Sequence, residues 1–328
     1  MTMSWFSPLH PPPRVEVRGE AWKSVLVPLD GSDLSRWAIG GARSILRRPG
    51  IALALLRVIE CEDYRSNDLG YQMDARHGRA RQELSKVREG FGEGAAEVSA
   101  DLRFGDPATE ILRELAEGNH DAALMSAFGR AGPGQAVLGR VARRVLRSSP
   151  VPLVLFRPRL GTDGELSRPA AYEETRFQRL LVALDGSEAA EEIVPAAERM
   201  ARTLGSVIFL FRAVAAGSRE AAGRRVAEDY LERWASVLAS RGIVSRRIVR
   251  TGDPAETALA AIRELGLDSV ALATRVRSGL AQAVYGSVTR EIIRGADVPI
   301  LALCARRHRL PLPDSAPEHR RVQVGRSI

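Results

Sequence analysis

A duplication is the feature of this sequence that most constrains its fold. The segment Val25-Leu-Val-Pro-Leu-Asp-Gly-Ser32 recurs as Leu180-Leu-Val-Ala-Leu-Asp-Gly-Ser187, which sets Asp30 against Asp185. An ordered set of motifs with one constant spacing predicts two copies of one structural unit. Three further motifs recur in the same order, each 147 residues later: Gly105-Asp-Pro-Ala108 from Gly252, Gly139 as Gly286, and Val151-Pro-Leu-Val154 as Val298-Pro-Ile-Leu301.

The two copies predict two domains. A chain of 328 residues is long enough for two units of ordinary domain size, each with its own core. The segment between the copies mixes Pro, Gly, Ser and charge without apolar periodicity, which is typical of a linker. We predict an N-terminal tail (1–22), a first domain (23–157), a linker (158–176), a second domain (177–305) and a basic C-terminal tail (306–328).

Short apolar runs alternate with helical patterns inside each copy. In the second copy Val226, Tyr230, Trp234 and Val237 recur at helical spacing and predict one buried helix face. The apolar runs are nearly continuous, as in strands that are buried on both faces. Strands that alternate with helices predict an α/β fold with a doubly wound parallel sheet. In the first copy the runs are Val25–Leu29, Ala52–Val58, Val98–Phe104, Ala122–Met125 and Val151–Phe156.

Composition narrows the classes of partner and site. The net charge is +8, but the arginines are dispersed along the chain, so we interpret them as solvated helix faces and expect no nucleic-acid partner. Cys61 and Cys304 form no CxxC pair, and the five histidines lack ligand spacing, so no metal site is predicted. Without a signal-like or membrane-spanning apolar run, we expect a cytoplasmic protein with no membrane contact.

The first candidate binding feature is the Asp30-Gly31-Ser32 turn after the first strand. In open α/β sheets, ligands bind beyond the carboxyl ends of the strands, so the Asp30 carboxylate can accept hydrogen bonds from a ribose or an adenine edge. Ser32 or Asp33 can cap the next helix. The alternative is that Asp-Gly-Ser serves only as a tight turn and a helix cap.

The second candidate feature is the glycine-rich stretch after the fourth strand, from Met125 to Gly139, which precedes a predicted helix over 140–147. Glycines let the backbone approach a polyphosphate, and the helix N-terminus offers free N–H groups. The Gly-Lys-Ser/Thr element of a P-loop is missing. A glycine-rich loop before a helix also occurs in many proteins that bind no phosphate.

Together, and twice in the same order, these motifs resemble those of the universal stress protein family, over residues 23–157 and 177–305. The resemblance implies that each domain is a five-stranded parallel sheet with helices on both faces, Rossmann-like and similar to adenine nucleotide alpha hydrolases. It also implies pairing through the last strand. We therefore predict that Val151–Phe156 and Val298–Leu303 pair the two repeats as an intramolecular pseudo-dimer, since two apolar edge strands would otherwise stay open.

Nucleotide-binding members of that family carry Gly-x-x-Gly, nine residues, and then Gly-Ser/Thr. Both copies keep the spacing of this pattern, but some of its positions hold other residues. Val276 replaces a glycine with a β-branched residue, so we expect poor triphosphate binding in the second domain. Arg140 either pairs with a phosphate or occupies the pocket. The matching positions are Ser126, Gly129, Gly139 and Arg140 in the first copy, and Ala273, Val276, Gly286 and Ser287 in the second.

The resemblance also implies the site. In the first domain the adenine slot would be lined by Pro28, Asp30, Val58 and Met125, with phosphates near Gly129, Gly139 and Arg140. In the second domain the matching positions are Ala183, Asp185, Ala213 and Leu272, with Gly286 and Ser287.

The leading hypothesis is a stress-response or regulatory protein that binds ATP or another adenine nucleotide, chiefly in the first domain, and acts on a regulatory protein partner. No dedicated catalytic site is expected. One alternative is a nucleotide-free interaction or scaffold module. Another is a slow ATPase on the same fold, for which the stretch from Ser126 to Arg140 supplies no acid.

Overall fold

The computed structural model describes residues 20–60, 69–92, 98–128, 137–157, 176–217, 219–275, 286–305 and 322–323. These residues form two units. The first domain contains 23–157 together with 322–323, and the second contains 20–22 together with 176–305. The boundaries of tails and linker, and the pairing of the two repeats through their last strands, stay predictions.

The first domain alternates strands and helices. Its strands are β1 (Ser24–Leu29), β2 (Ala52–Ile59), β3 (Val98–Phe104), β4 (Ala122–Ser126) and β5 (Leu153–Phe156). A 3₁₀ turn (Asp33–Ser35) leads into α1 (Arg36–Leu46), and α2 (Leu69–Glu89), α3 (Pro107–Glu117) and α4 (Arg140–Ser148) follow.

The second domain repeats this order. Its strands are β6 (Arg179–Ala183), β7 (Val207–Val214), β8 (Ser245–Thr251), β9 (Ser269–Thr274) and β10 (Ile300–Cys304). Its helices are α5 (Glu188–Glu191), α6 (Val194–Leu204), α7 (Glu220–Ser240), α8 (Pro254–Glu264) and α9 (Ser287–Gly295). The two-residue strand β11 (Val322–Gln323) belongs to the first domain.

Both sheets have the same topology. The order is β3-β2-β1-β4-β5 in the first domain and β8-β7-β6-β9-β10 in the second, and the strands of each domain run parallel. The β11 strand, from the stretch predicted as a tail, pairs antiparallel with β3. The doubly wound α/β fold predicted for each repeat is therefore confirmed. Strand order reverses beside β1 and β6, and the connections leave a crevice there at the carboxyl edge.

The central strands are apolar because both of their faces are covered by helices. In β1, Val25, Leu26 and Val27 are fully buried, and all of β4 and β5 is buried. The fifth strand begins at Leu153 rather than at the predicted Val151, after Pro152, which has no N–H to donate to a ladder.

The repeated Gly-Asp-Pro-Ala motif marks the start of a helix in both domains. Gly105 and Gly252 hold φ values of +142° and +131°, which favour glycine. Asp106 and Asp253 are N-caps that accept backbone N–H bonds from the first turn, and a proline follows each of them. The motif is thus a folding signal for α3 and α8.

Helix α7 buries a different stripe from the predicted one. Tyr230 and Trp234 are buried as predicted, but Val226 is 43% exposed, and Val237 is only half-buried. The buried face is completed by Ala227, Leu231 and Leu238. Adjacent residues lie about 100° apart on a helix, so a short apolar pattern fits two neighbouring stripes, and packing against the sheet selects one of them.

A glycine pair tests this packing. A Cβ on Gly41 in α1 would overlap the ring of Phe156 on β5, whereas a Cβ on Gly78 in α2 would meet nothing within 4 Å. We expect Gly41→Ala to lower the free energy of unfolding by about 1–3 kcal/mol through overpacking. Gly78→Ala should raise it by about 0.5–1 kcal/mol, because alanine loses less conformational entropy in a helix. Urea unfolding followed by circular dichroism measures both changes, and shifts of the same sign would contradict this interpretation.

Candidate functional site

An open cleft of about 730 Å³ lies at the carboxyl edge of the first domain's sheet. It is bounded by the ends of β1, β2 and β4 and by α2, α3 and α4. The position is the point where strand order reverses, as expected for a ligand site in this topology. Seven of the predicted positions line it: Pro28, Asp30, Val58, Met125, Ser126, Gly139 and Arg140. Gly129 and Val276 lie outside the described residues.

The Asp30-Gly31-Ser32 turn sets a carboxylate on the cleft wall. Gly31 holds φ at +74°, and the N–H and hydroxyl of Ser32 both donate to Asp30 Oδ1, at 2.9 and 2.6 Å. The Ser32 hydroxyl oxygen also accepts the Ser35 N–H as N-cap of the 3₁₀ turn. The segment is therefore a turn and a cap that also presents Asp30 to the cleft.

A buried arginine lies beneath this turn. Arg57 on β2 is only 8% exposed, and its Nη1 donates to the Leu29 carbonyl oxygen at 3.3 Å. A Cβ on Gly31 would lie 2.5 Å from the guanidinium, and the positive φ of this residue also favours glycine. Arg57 was not among the predicted site residues. The signal that could have found it is a charged residue inside an apolar strand that recurs in the second copy as Arg212.

The cleft walls combine apolar surface with charges of both signs. Ile111 and Ala80 add to the apolar wall formed by Val58 and Met125. The charged lining residues are Asp30, Arg57, Glu60, Arg79, Glu83 and Arg140. Glu60, Arg79 and Glu83 were not predicted, because they lie at the end of β2 and on α2, outside the motifs that carried the resemblance.

The first turn of α4 forms one end of the cleft. Gly139 is its N-cap, makes no side-chain capping bond, and donates its N–H to the Ala127 carbonyl oxygen at 2.8 Å. Arg140, Val141 and Ala142 follow on the lining. Free N–H groups and the positive end of the helix dipole make such a turn suited to an anion.

Two arginines of α4 are held by carboxylates. Arg140 Nη2 lies 2.9 Å from Glu60 Oε1, and Arg144 Nη1 lies 2.6 Å from Asp106 Oδ1. Burial alone would raise the pKa of Asp106. Hydrogen bonds from Thr109 and the charges of Arg144 and Arg140 outweigh that effect and lower the pKa below its ordinary value.

The equivalent carboxylate in the second domain is occupied by the chain itself. Asp185 Oδ1 accepts the N–H and hydroxyl of Ser187 at 2.8 and 2.5 Å, and Oδ2 lies 3.2 Å from Arg275 Nη2. Arg275 also donates to the Ser187 hydroxyl oxygen. Asp185 is only 9% exposed. A ligand that used this carboxylate would have to displace Arg275.

The space beneath the second turn is filled by a buried polar cluster. Tyr230 donates to Glu191 Oε1 at 2.7 Å, and Trp234 Nε1 donates to the same oxygen at 3.4 Å. The Arg212 guanidinium carbon lies 4.8 Å from the centre of the Tyr230 ring. Gly186, at φ +83°, leaves room for Arg212 as Gly31 does for Arg57.

Burial shifts the pKa values of this cluster. It raises the pKa of Glu191 despite the hydrogen bonds from Tyr230 and Trp234, and the nearby Asp185 raises it further. Burial also raises the pKa of Tyr230 and lowers that of Arg212. Each shift disfavours the charged form of a group withdrawn from water.

The other second-domain positions fall into two groups by exposure. Ala183, Ala213 and Leu272 are buried, whereas Gly286 and Ser287 are exposed at the start of α9. A groove of about 550 Å³ in this domain runs along α7 and β8 and contains none of the predicted positions.

Comparison with known proteins agrees with the duplicated fold. The model of the "Universal stress protein family" matches residues 21–157 and again residues 176–303. The chain belongs to the universal stress protein family. Both domains carry the match, so this is a tandem universal stress protein.

Individual relatives are distant. A curated universal stress protein of Staphylococcus saprophyticus is 25% identical over 167 residues, which cover 46% of this chain and 98% of that protein. The crystal structure of a universal stress protein from Archaeoglobus fulgidus has a TM-score of 0.62 at 21% identity and covers 86% of this chain and 98% of its own. A functionally unknown Pseudomonas aeruginosa protein has a TM-score of 0.56 at 18% identity, over 87% of this chain and 93% of its own. These structures support the fold.

Two kinds of site are absent from the described part of this tandem universal stress protein. Among the described residues, His, Cys, Asp and Glu side chains form no group of three or more that could hold a metal ion. Within the same part of the chain, every helix is too short or too polar to cross a lipid bilayer.

The buried Glu191 predicts a pH dependence of stability. Its folded pKa is raised above the unfolded value, so the folded state binds this proton more tightly. The free energy of unfolding should therefore fall as pH rises from the ordinary carboxyl pKa through the raised value. Glu191→Gln should flatten that fall, while Glu256→Gln, at an exposed position of helix α8, should not. Urea unfolding from pH 4 to 8 measures this, and identical pH profiles for wild type and Glu191→Gln would contradict it.

Proposed function

We propose that this tandem universal stress protein is a stress-response regulatory protein that binds an adenine nucleotide in its first domain, without a dedicated catalytic site. The observation that carries the proposal is the first-domain cleft. It unites Pro28, Asp30, Val58, Met125 and the start of α4 at the carboxyl edge where strand order reverses. Its volume of about 730 Å³ lies in the range of small-molecule sites, roughly 300–1,000 Å³.

The chemistry of the walls supports a nucleotide. Val58, Met125, Ile111 and Ala80 offer apolar surface for a planar base. Asp30 Oδ1 is already used by Ser32, and the carboxylate can also accept from a ribose hydroxyl or an exocyclic amine. The α4 N-terminus, with no side-chain cap, suits a phosphate. These three features are arranged along one cleft.

The second domain supports an asymmetric protein. There, Arg275 already pairs with Asp185, and the cluster of Arg212, Tyr230 and Glu191 packs beneath the same turn. Removing a partner from a buried charge is costly, so this arrangement resists opening. We propose that the second domain serves as a structural and regulatory companion, with nucleotide held in the first.

Regulation needs only a ligand that binds two states of the first domain unequally. Nucleotide binding at the start of α4 would then change the surface that a regulatory protein partner meets. For the slow-ATPase alternative, the cleft lining contains two carboxylates that were not predicted, Glu60 and Glu83. Glu60 is paired with Arg140, which argues against its acting as a base. Absence of phosphate release above a buffer blank over many hours would support binding without hydrolysis.

The two equivalent aspartates provide a matched test. Asp30→Ala and Asp185→Ala each remove a carboxylate that accepts two bonds from the following serine. We expect Asp30→Ala to weaken adenine-nucleotide binding about 10- to 100-fold, the range for a lost hydrogen bond to a charged group. Asp185→Ala should change it less than about twofold. Isothermal titration calorimetry on the full chain measures both affinities.

Mass spectrometry of the denatured protein provides a second readout, because a bound nucleotide would be released and identified. The proposal fails if the purified protein contains no nucleotide and AMP, ADP and ATP produce no calorimetric signal. It also fails if the two aspartate variants lose binding equally.

A further inference from the structure

An ion pair crosses the mouth of the first-domain cleft. Glu60 directly follows β2, Arg140 is the first residue of α4, and Oε1 of the one lies 2.9 Å from Nη2 of the other. Both residues line the cleft, and their side chains are 41% and 67% exposed. The pair therefore lies where the cleft meets solvent, beside the helix N-terminus proposed above for phosphate.

Two arginines of α4 at this end of the cleft are paired with carboxylates. Arg140 is held by Glu60, and Arg144, one turn further along α4, is held by Asp106. A site that holds a triphosphate needs cations free to meet about four negative charges. Within the part of the chain that the structure describes, α4 offers its N-terminus and Arg140, which shares its charge with Glu60.

We propose that Glu60 is a specificity-determining residue that makes the cleft select nucleoside monophosphates over triphosphates; the inference rests on the proposed nucleotide binding. A phosphate at the start of α4 must either replace Glu60 on Arg140 or lie close to the Glu60 carboxylate. Either outcome costs free energy, and the cost grows with the negative charge of the ligand. A single phosphate can be held by the helix N-terminus alone, whereas each further phosphate adds negative charge that the Glu60 carboxylate opposes.

This arrangement also answers whether Arg140 is a phosphate ligand or a plug. The guanidinium is engaged by Glu60 rather than packed into the cleft interior, and it stays 67% exposed. A phosphate can therefore use the charge of Arg140 only to the extent that the ion pair with Glu60 breaks. Glu60, rather than Arg140 alone, determines the charge that the phosphates encounter.

The test uses the full chain and titrates AMP, ADP and ATP by calorimetry in metal-free buffer with EDTA, because magnesium would neutralise the phosphates. We expect wild-type affinity to fall from AMP to ATP. Glu60→Gln should tighten ATP binding about three- to tenfold and change AMP binding less than about twofold. The difference should shrink at 0.5 M salt, where exposed charges are screened.

Arg140→Gln removes the other member of the same pair and should weaken ATP binding. The two variants lose the same ion pair, so a merely structural role for the pair would shift ATP affinity in one direction for both. Opposite signs identify a charge effect. Glu228→Gln is the matched control, because Glu228 pairs with Arg224 at 3.1 Å on an exposed face of α7 in the other domain, and it should leave all three affinities unchanged.

The inference is overturned if wild type binds ATP as tightly as AMP, if Glu60→Gln changes AMP and ATP affinity equally, or if Glu60→Gln has no effect while wild type binds nucleotide. In these cases nucleotide binding itself still stands. If neither wild type nor Glu60→Gln binds any of the three ligands, the proposed function fails and the inference fails with it. Binding of ATP by Glu60→Gln alone would support both. Thermal unfolding of each variant verifies that it is folded.

Discussion

The reversal of strand order beside the first strand of each repeat is the constraint on which the rest of the structure depends. The strands of each repeat run parallel, so every connection must cross over the sheet, and helices on opposite faces diverge where the order reverses. The crevice is therefore a consequence of topology, and it would exist whatever residues lined it. The residues at the strand ends and on the neighbouring helices then determine the chemistry of its walls.

The two repeats share the same first turn but differ in the side chains that pack beside it. Each places a buried arginine beneath an Asp-Gly-Ser turn, Arg57 in one repeat and Arg212 in the other, and a glycine at positive φ leaves room for it. In the first domain, α2 lines the cleft with the small side chain of Ala80 and the charged side chains of Arg79 and Glu83. A cleft remains beside them. In the second domain Tyr230 and Trp234 of α7 pack into the corresponding space and donate to Glu191 Oε1. Removing a partner from such a buried group is costly.

Part of the candidate site could be predicted because its residues belong to the recurring motifs. Asp30, Ser126, Gly139 and Arg140 lie at strand ends and a helix start, where residue type and position are tied to local backbone geometry. Glu60, Arg79 and Glu83 carried no such signal, since they follow a strand or lie on a helix whose exposed face is polar in any case. The α7 stripe shows the same limit, because periodicity alone does not distinguish Val226 from Ala227 as the buried neighbour.

The duplication, the α/β class of each repeat and the turns that cap their helices could all be read from the order of residues. These features follow from residue spacing, apolar run length and the backbone preferences of Asp, Gly and Pro, all of which act over a few residues. The packing of Tyr230 against Glu191 beneath the second turn, and the contact of Arg140 with Glu60 from 80 residues away, emerge only in the folded chain. Such contacts join elements that are distant in the chain, and their energies depend on packing and charge compensation that no local pattern encodes.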